Sequence, residues 1–210
     1  MFLIYDDLYF NIEIKCKYDD IIDKLFISKF INNINEFFIW ASFSGHYKIV
    51  KLLSKNKRIN PNNENNYAIR MACMNKYLKI IKLLLKDKRV DPSDVNNYAI
   101  RCAAENGYYK IVKLLLKDKR VDPNDVNNYA IRWAAENGYY KIVKLLLKDK
   151  RVDPSDKNNE AIQLAYENGY YKIIKLLLKD RRIDKNDQTI KNIINKLKHL
   201  SKTFFAEIFS

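Results

Sequence analysis

The stretch Asp91–Val121, DPSDVNNYAIRCAAENGYYKIVKLLLKDKRV, is followed at once by Asp122–Val152, DPNDVNNYAIRWAAENGYYKIVKLLLKDKRV. A looser copy begins at Asp153, and an earlier one starts at Asn60 as NPNNENNYAIRMACMNKYLKIIKLLLKDKRV. The register is 31 residues. All four prolines keep it: Pro61, Pro92, Pro123 and Pro154. So do all four glycines, Gly45, Gly107, Gly138 and Gly169, with Lys76 in the one vacant slot. Punctuation confined to one period marks an array of like units.

Each unit reads as loop, short inner helix, turn, longer outer helix. Asp-Pro-Ser-Asp-Val-Asn-Asn is turn and cap chemistry, with Pro92 fixing φ and the Asn and Asp side chains offering acceptors. Asn96 or Asn97 is placed to N-cap a helix over Tyr98–Asn106. Gly107 ends that helix, because a residue without Cβ enters the left-handed region at little cost. A second helix runs from Tyr108 to about Lys119, with Ile111, Val112, Leu115 and Leu116 at three-and-four spacing. One such unit cannot bury its apolar face alone, so the units stack and share faces. Ala103 and Ala104 let neighbouring inner helices approach closely.

The pattern resembles the ankyrin repeat. Ile100, Ala103, Ala104 and Gly107 match that family's inner helix, and Ile111, Val112 and Leu114–Leu116 match its outer helix. Tyr98–Arg101 replaces the family's T-P-L-H turn, Tyr108 stands where the family has His, and the unit is about two residues short of the family period. This Asn-, Ile-, Lys- and Tyr-rich dialect is similar to the ankyrin proteins of giant DNA viruses. The resemblance implies an all-α repeat solenoid whose role is to bind another protein, a host-cell protein being one candidate, without cofactor or metal.

The chain divides as residues 1–34, an N-terminal cap or decayed first unit; 35–187, five ankyrin-like repeats; and 188–210, a capping helix and tail. In the first segment, Ile21, Ile22, Leu25 and Phe26 suit an outer helix. In the last, Ile190, Ile193, Ile194, Leu197 and Leu200 line one face, and Leu200 fills the glycine slot. No apolar run approaches the roughly 18 residues of a membrane span. Met1–Tyr5 is followed by Asp6 and Asp7 with no basic segment before it, which argues against a secretory signal. Cys16, Cys73 and Cys102 lack metal-ligand spacing and read as buried, reduced thiols of an intracellular protein in the cytoplasm or nucleus. A monomer with no membrane association is expected.

No catalytic constellation is visible. His46 occupies the family's own His position, and neither it nor His199 has serine and aspartate partners at triad spacing. The chain is read as a non-enzyme. Two surfaces remain. Each outer helix carries three lysines on one face: Lys48/Lys51/Lys55, Lys79/Lys82/Lys86, Lys110/Lys113/Lys117, Lys141/Lys144/Lys148 and Lys172/Lys175/Lys179. With a net charge of +14, this lattice is either a solvated back or an attachment face for a polyanion such as nucleic acid. The solvated back is the preferred reading, since no arginine or aromatic side chain interleaves there. The opposite surface carries the resemblance's protein-binding groove. Carried over position by position, its residues are Asp94, Asn97, Glu105 and Asn106, then Asp125, Asn128, Glu136 and Asn137, then Asp156, Asn159, Glu167 and Asn168. Arg101 and Arg132 stand one turn before Glu105 and Glu136, which suggests pairing within each helix.

Overall fold

A computed structural model describes the backbone of residues 34–200. The readings of the N-terminal cap, Cys16 and the 203–210 tail lie outside the described residues, as do the side chains of His199 and Leu200. Among the described residues there are eleven α-helices and no strand. They alternate as inner and outer helices: α1 (Ile34–Phe43) and α2 (Tyr47–Leu53), α3 (Asn63–Met74) and α4 (Leu78–Leu84), α5 (Asp94–Glu105) and α6 (Tyr109–Leu115), α7 (Asp125–Glu136) and α8 (Tyr140–Leu146), α9 (Asp156–Glu167) and α10 (Tyr171–Leu178). A last helix, α11 (Gln188–Leu200), packs on α9. Each inner helix from α1 to α9 packs on the outer helix that follows it, and successive inner helices pack on one another. Outer helices likewise touch their neighbours.

The core runs the length of this stack. Ala99, Ile100, Ala103 and Ala104 of α5 are buried against Ile111, Val112 and Leu115 of α6. Val121 and Pro123 close the loop to the next unit from inside. The alanines have no bulk to hold the helices apart, which explains why inner helices meet directly.

Two backbone features set the repeat. The first is the turn after each inner helix, where Gly107 has φ +74° and Gly138 φ +75°. A Cβ on Gly107 would stand 2.8 Å from the Tyr139 ring, and one on Gly138 would stand 2.6 Å from the ring of Tyr170. Each glycine is thus needed twice, for its left-handed backbone and for the tyrosine of the following unit that lies over it. Lys76 adopts φ +63° in the vacant slot and sends its ammonium over the Tyr108 ring, 5.1 Å from the centroid.

The second is a single left-handed turn before the inner helix proper in the four units of α3, α5, α7 and α9. Val95, Asn96 and Asn97 have φ of 53°, 56° and 53°, and Glu64–Asn66, Val126–Asn128 and Lys157–Asn159 repeat the conformation. L-residues there cost roughly 1–2 kcal/mol each, least for asparagine and most for β-branched valine. Local bonds hold the turn. Asn97 N donates to Ser93 O at 2.7 Å, and Val95 N donates to the Asp94 carboxylate at 2.7 Å. Arg101 Nε donates to Asn96 O at 2.7 Å. The right-handed helix begins at Tyr98, as the sequence suggests, but without an asparagine N-cap, because Asn97 points into the next unit.

Candidate partner-binding face

Two joints hold successive repeats at fixed spacing. Asn97 is 5% exposed; its Oδ1 accepts from Asp122 N at 2.7 Å and its Nδ2 donates to the Asp125 carboxylate at 2.7 Å. Asn66 reaches Asp91 and Asp94 in the same way, and Asn128 reaches Asp153 and Asp156. In the same loops, Arg120 grips the Asp118 carboxylate with Nε and Nη2 and donates Nη1 to Val90 O, in the preceding unit, at 2.6 Å. Arg89, Arg151 and Arg182 repeat this clasp with Asp87, Asp149 and Asp180. The paired guanidinium holds each of these aspartates below the usual carboxylate range.

The groove residues expected from the sequence therefore occupy three kinds of position. Asp94, Asp125 and Asp156, with Asn97 and Asn128, form the asparagine joints. Asn159 is also buried, but its Oδ1 has no partner. Its following unit lacks the three-residue left-handed turn, and α11 starts directly after Asp187, whose Oδ1 accepts from Ile190 N at 3.1 Å. Asn106, Asn137 and Asn168 are exposed, and their Nδ2 atoms fold back onto the carbonyls of Cys102, Trp133 and Leu164 in the last turn of their own helices. The glutamates differ: Tyr129 Oη donates to Glu105 Oε2 at 3.2 Å, and Glu136 Oε2 is buried without a partner. Glu105 and Glu136 are half-buried and Glu167 is exposed. Glu136 is pushed up from the ordinary glutamate value, first by burial and then by the charges of Glu160, Glu105 and Glu167.

Beside the glutamate row runs a second row that sequence reasoning missed. On the face of α3, α5 and α7 that the outer helices leave uncovered, tyrosine and arginine alternate across repeats. The Arg70 guanidinium lies 5.0 Å from the centroid of Tyr67 and 5.7 Å from that of Tyr98. Arg101 lies 6.0 Å from Tyr98 and 5.0 Å from Tyr129, and Arg132 lies 6.0 Å from Tyr129. Such contacts contribute roughly 0.5–1 kcal/mol each when partly exposed. Arg132 also pairs with Glu160 of α9 at 2.6 Å. The expected pairing of each arginine with the glutamate one turn on is replaced by this cross-repeat stack. A sequence signal existed: Tyr67, Tyr98 and Tyr129 precede Arg70, Arg101 and Arg132 by one helical turn in three consecutive copies.

The outer helices present the lysine lattice to solvent. Of its members only Lys175 is half-buried; the rest are exposed. Cys73 and Cys102 are buried free thiols, pushed above the ordinary cysteine value by burial. Among the described residues no group of three or more His, Cys, Asp or Glu side chains is placed to hold a metal ion. No described helix is long and apolar enough to cross a membrane.

Comparison with protein-family models finds the family described as Ankyrin repeats (3 copies), matched over residues 14–99, 37–127 and 100–189. Comparison with curated proteins returned no match.

Proposed function

Because the chain belongs to the ankyrin-repeat family, whose members generally mediate protein–protein interaction, we propose that it is a non-enzymatic scaffold that binds another protein along its inner face. The observation that carries this reading is the uncovered Tyr–Arg ladder of α3, α5 and α7 and the glutamate row of α5, α7 and α9 beside it, fixed in spacing by the asparagine and arginine joints. Glu105, Glu136 and Glu167, with Asn106, Asn137 and Asn168, make direct contact with the partner. Asp94, Asn97, Asp125, Asn128, Asp156 and Asn159 act from below, by setting the repeat spacing. The partner is a host-cell protein of the cytoplasm or nucleus, and the scaffold works as a monomer without cofactor.

The test is capture from host-cell lysate. Reversing Glu105, Glu136 and Glu167 to Lys abolishes capture, whereas Lys82→Gln, Lys113→Gln and Lys144→Gln together leave it nearly unchanged. The inverse pattern refutes the proposal. The exposed lysine lattice supports a second reading, a polyanion-binding back. Under that reading nuclease treatment removes the captured material, and log affinity for duplex DNA falls against log salt with a slope of about −0.9 per neutralised phosphate.

A further inference from the structure

The arginines of the inner face carry more hydrogen-bonding capacity than the fold uses. Arg70 donates Nε to Asn65 O at 2.9 Å and Nη2 to Glu64 O at 3.0 Å, and Arg101 makes the same pair of bonds to Asn96 and Val95. At the equivalent position of α9 stands Gln163. Its single amide donates to Asn158 O at 2.6 Å, and the left-handed turn there is intact. The turn therefore requires one donor, not a guanidinium.

Arg132 shows what the remaining donors do. Its Nη1 binds the Glu160 carboxylate at 2.6 Å, and Glu160 comes from the helix position that Tyr129 and Tyr98 fill one and two repeats earlier. At Arg70 and Arg101 that position holds an aromatic ring, and among the described residues no carboxylate pairs with either guanidinium. Both are half-buried, held in plane by two backbone carbonyls and by tyrosine faces on both sides. A guanidinium fixed this way is suited to planar carboxylate recognition.

Resting on the inner-face reading above, we propose that Arg70 and Arg101 are a two-point anchor for carboxylate side chains of an acidic, extended segment of the partner protein. The Arg132–Glu160 pair is the chain's own version of that contact. Adjacent inner helices pack about 8–10 Å apart. A polyproline II segment rises about 3.1 Å per residue with three residues per turn, so carboxylates at i and i+3 share one face about 9 Å apart. The charge along the face has a matching direction. Arg70 and Arg101 lie toward the N-terminal end, where Met74 replaces a glutamate and Glu105 accepts from Tyr129 Oη at 3.2 Å, and Glu136, Glu160 and Glu167 lie toward the other end. The segment therefore lies with its acidic part over α3 and α5.

The experiment uses fluorescence anisotropy with the full chain and a short fluorescein-labelled peptide repeating Glu-Pro-Ser, with Gln-Pro-Ser as its neutral counterpart. The acidic peptide binds at least about tenfold more tightly than the neutral one, and the R70Q/R101Q variant loses that preference. Glutamine keeps the turn, as Gln163 does, so the variant stays folded and its thermal melt falls only by the lost tyrosine contacts. R70K/R101K, which retains charge but not the planar fork, also loses the preference. The K82Q/K113Q/K144Q variant retains it. The proposal is overturned if the acidic peptide does not bind, if R70Q/R101Q binds it as well as the parent, or if the loss follows the lysine variant. Lysate capture separates this from the broader reading. Capture lost on glutamate reversal but kept in R70Q/R101Q leaves the inner face as the binding surface and removes the arginine anchor.

Discussion

Replacing Asn97 by Gly tests whether the asparagine joints couple the repeats. Glycine accepts the 53° φ of that site without strain, so the substitution removes the side chain and leaves the turn. Two bonds vanish: one from the buried Asp122 N–H, and one to the Asp125 carboxylate. A neutral bond contributes about 0.5–1.5 kcal/mol and one to a charged group about 1.5–3, giving about 2–4 kcal/mol together. Asn159→Gly is the internal reference. It carries the same glycine flexibility cost of about 0.5–1 kcal/mol, but the Oδ1 it removes already lacks a partner. Urea melts of the two variants followed by circular dichroism should differ by about 2–4 kcal/mol. The N97G melt should also broaden, because weakening one interface of a linear array uncouples the repeats on either side. Equal losses in the two variants would show that the joint contributes nothing net and that apolar stacking alone couples the units.

Three further outcomes are expected. Leu115, fully buried between α6 and its neighbours, should cost about 2–5 kcal/mol as Leu115→Ala, whereas exposed Lys113→Ala should stay within about 0.5 kcal/mol in the same melts. Gly107→Ala should destabilise more than Gly169→Ala. Both have positive φ, but a Cβ at Gly107 meets the Tyr139 ring at 2.8 Å and one at Gly169 finds its nearest atom at 4.0 Å, so equal midpoints would refute the ring contact. The Asp–Arg clasps lower the folded-state pKa of Asp87, Asp118, Asp149 and Asp180. Their stabilisation is therefore full above the unfolded value of about 3.9 and is lost as pH falls through the lowered values. Urea midpoints measured down to about pH 2 should fall less steeply for D118N/D149N than for the parent, and parallel curves would mean the clasps are absent in solution.

The helix register was legible because glycine, proline and the apolar spacing are local signals: Gly107 and Leu115 announce their own roles. What holds the repeats together was not legible, because it is carried by contacts 25 to 35 residues apart in sequence. Asn97 reads as an N-cap by every local rule, yet its partners are Asp122 and Asp125. Arg120 looks like one more member of a basic loop until its reach to Val90 O is seen. The left-handed turn was hidden for a different reason. No propensity favours three successive non-glycine residues there, and Val95 argues against it; only the bonds from Asp94 and Arg101 make it tolerable. On the candidate face, the glutamates were found from the family's groove positions, but the Tyr–Arg stack needed the distance between neighbouring helices. Identity between copies was itself a clue, since a residue serving the same joint in every repeat has no reason to vary.

The two kinds of joint point in opposite directions along the stack. Asparagine reaches forward to the next unit, and arginine reaches back to the one before. A 31-residue segment such as Asp91–Val121 carries one complete set of both, whichever residue it is cut at. Duplicating a whole segment therefore creates a new joint already complete on both sides, while an insertion of any other length breaks two. The near-identity of Asp91–Val121 and Asp122–Val152 is what such a duplication leaves behind. Growth of this kind is confined to the interior. The unit before α11 leaves its asparagine oxygen unanswered and α11 has no left-handed turn to offer another, so lineages descending from this gene should differ in repeat number between α3 and α10 while keeping α11 as it is.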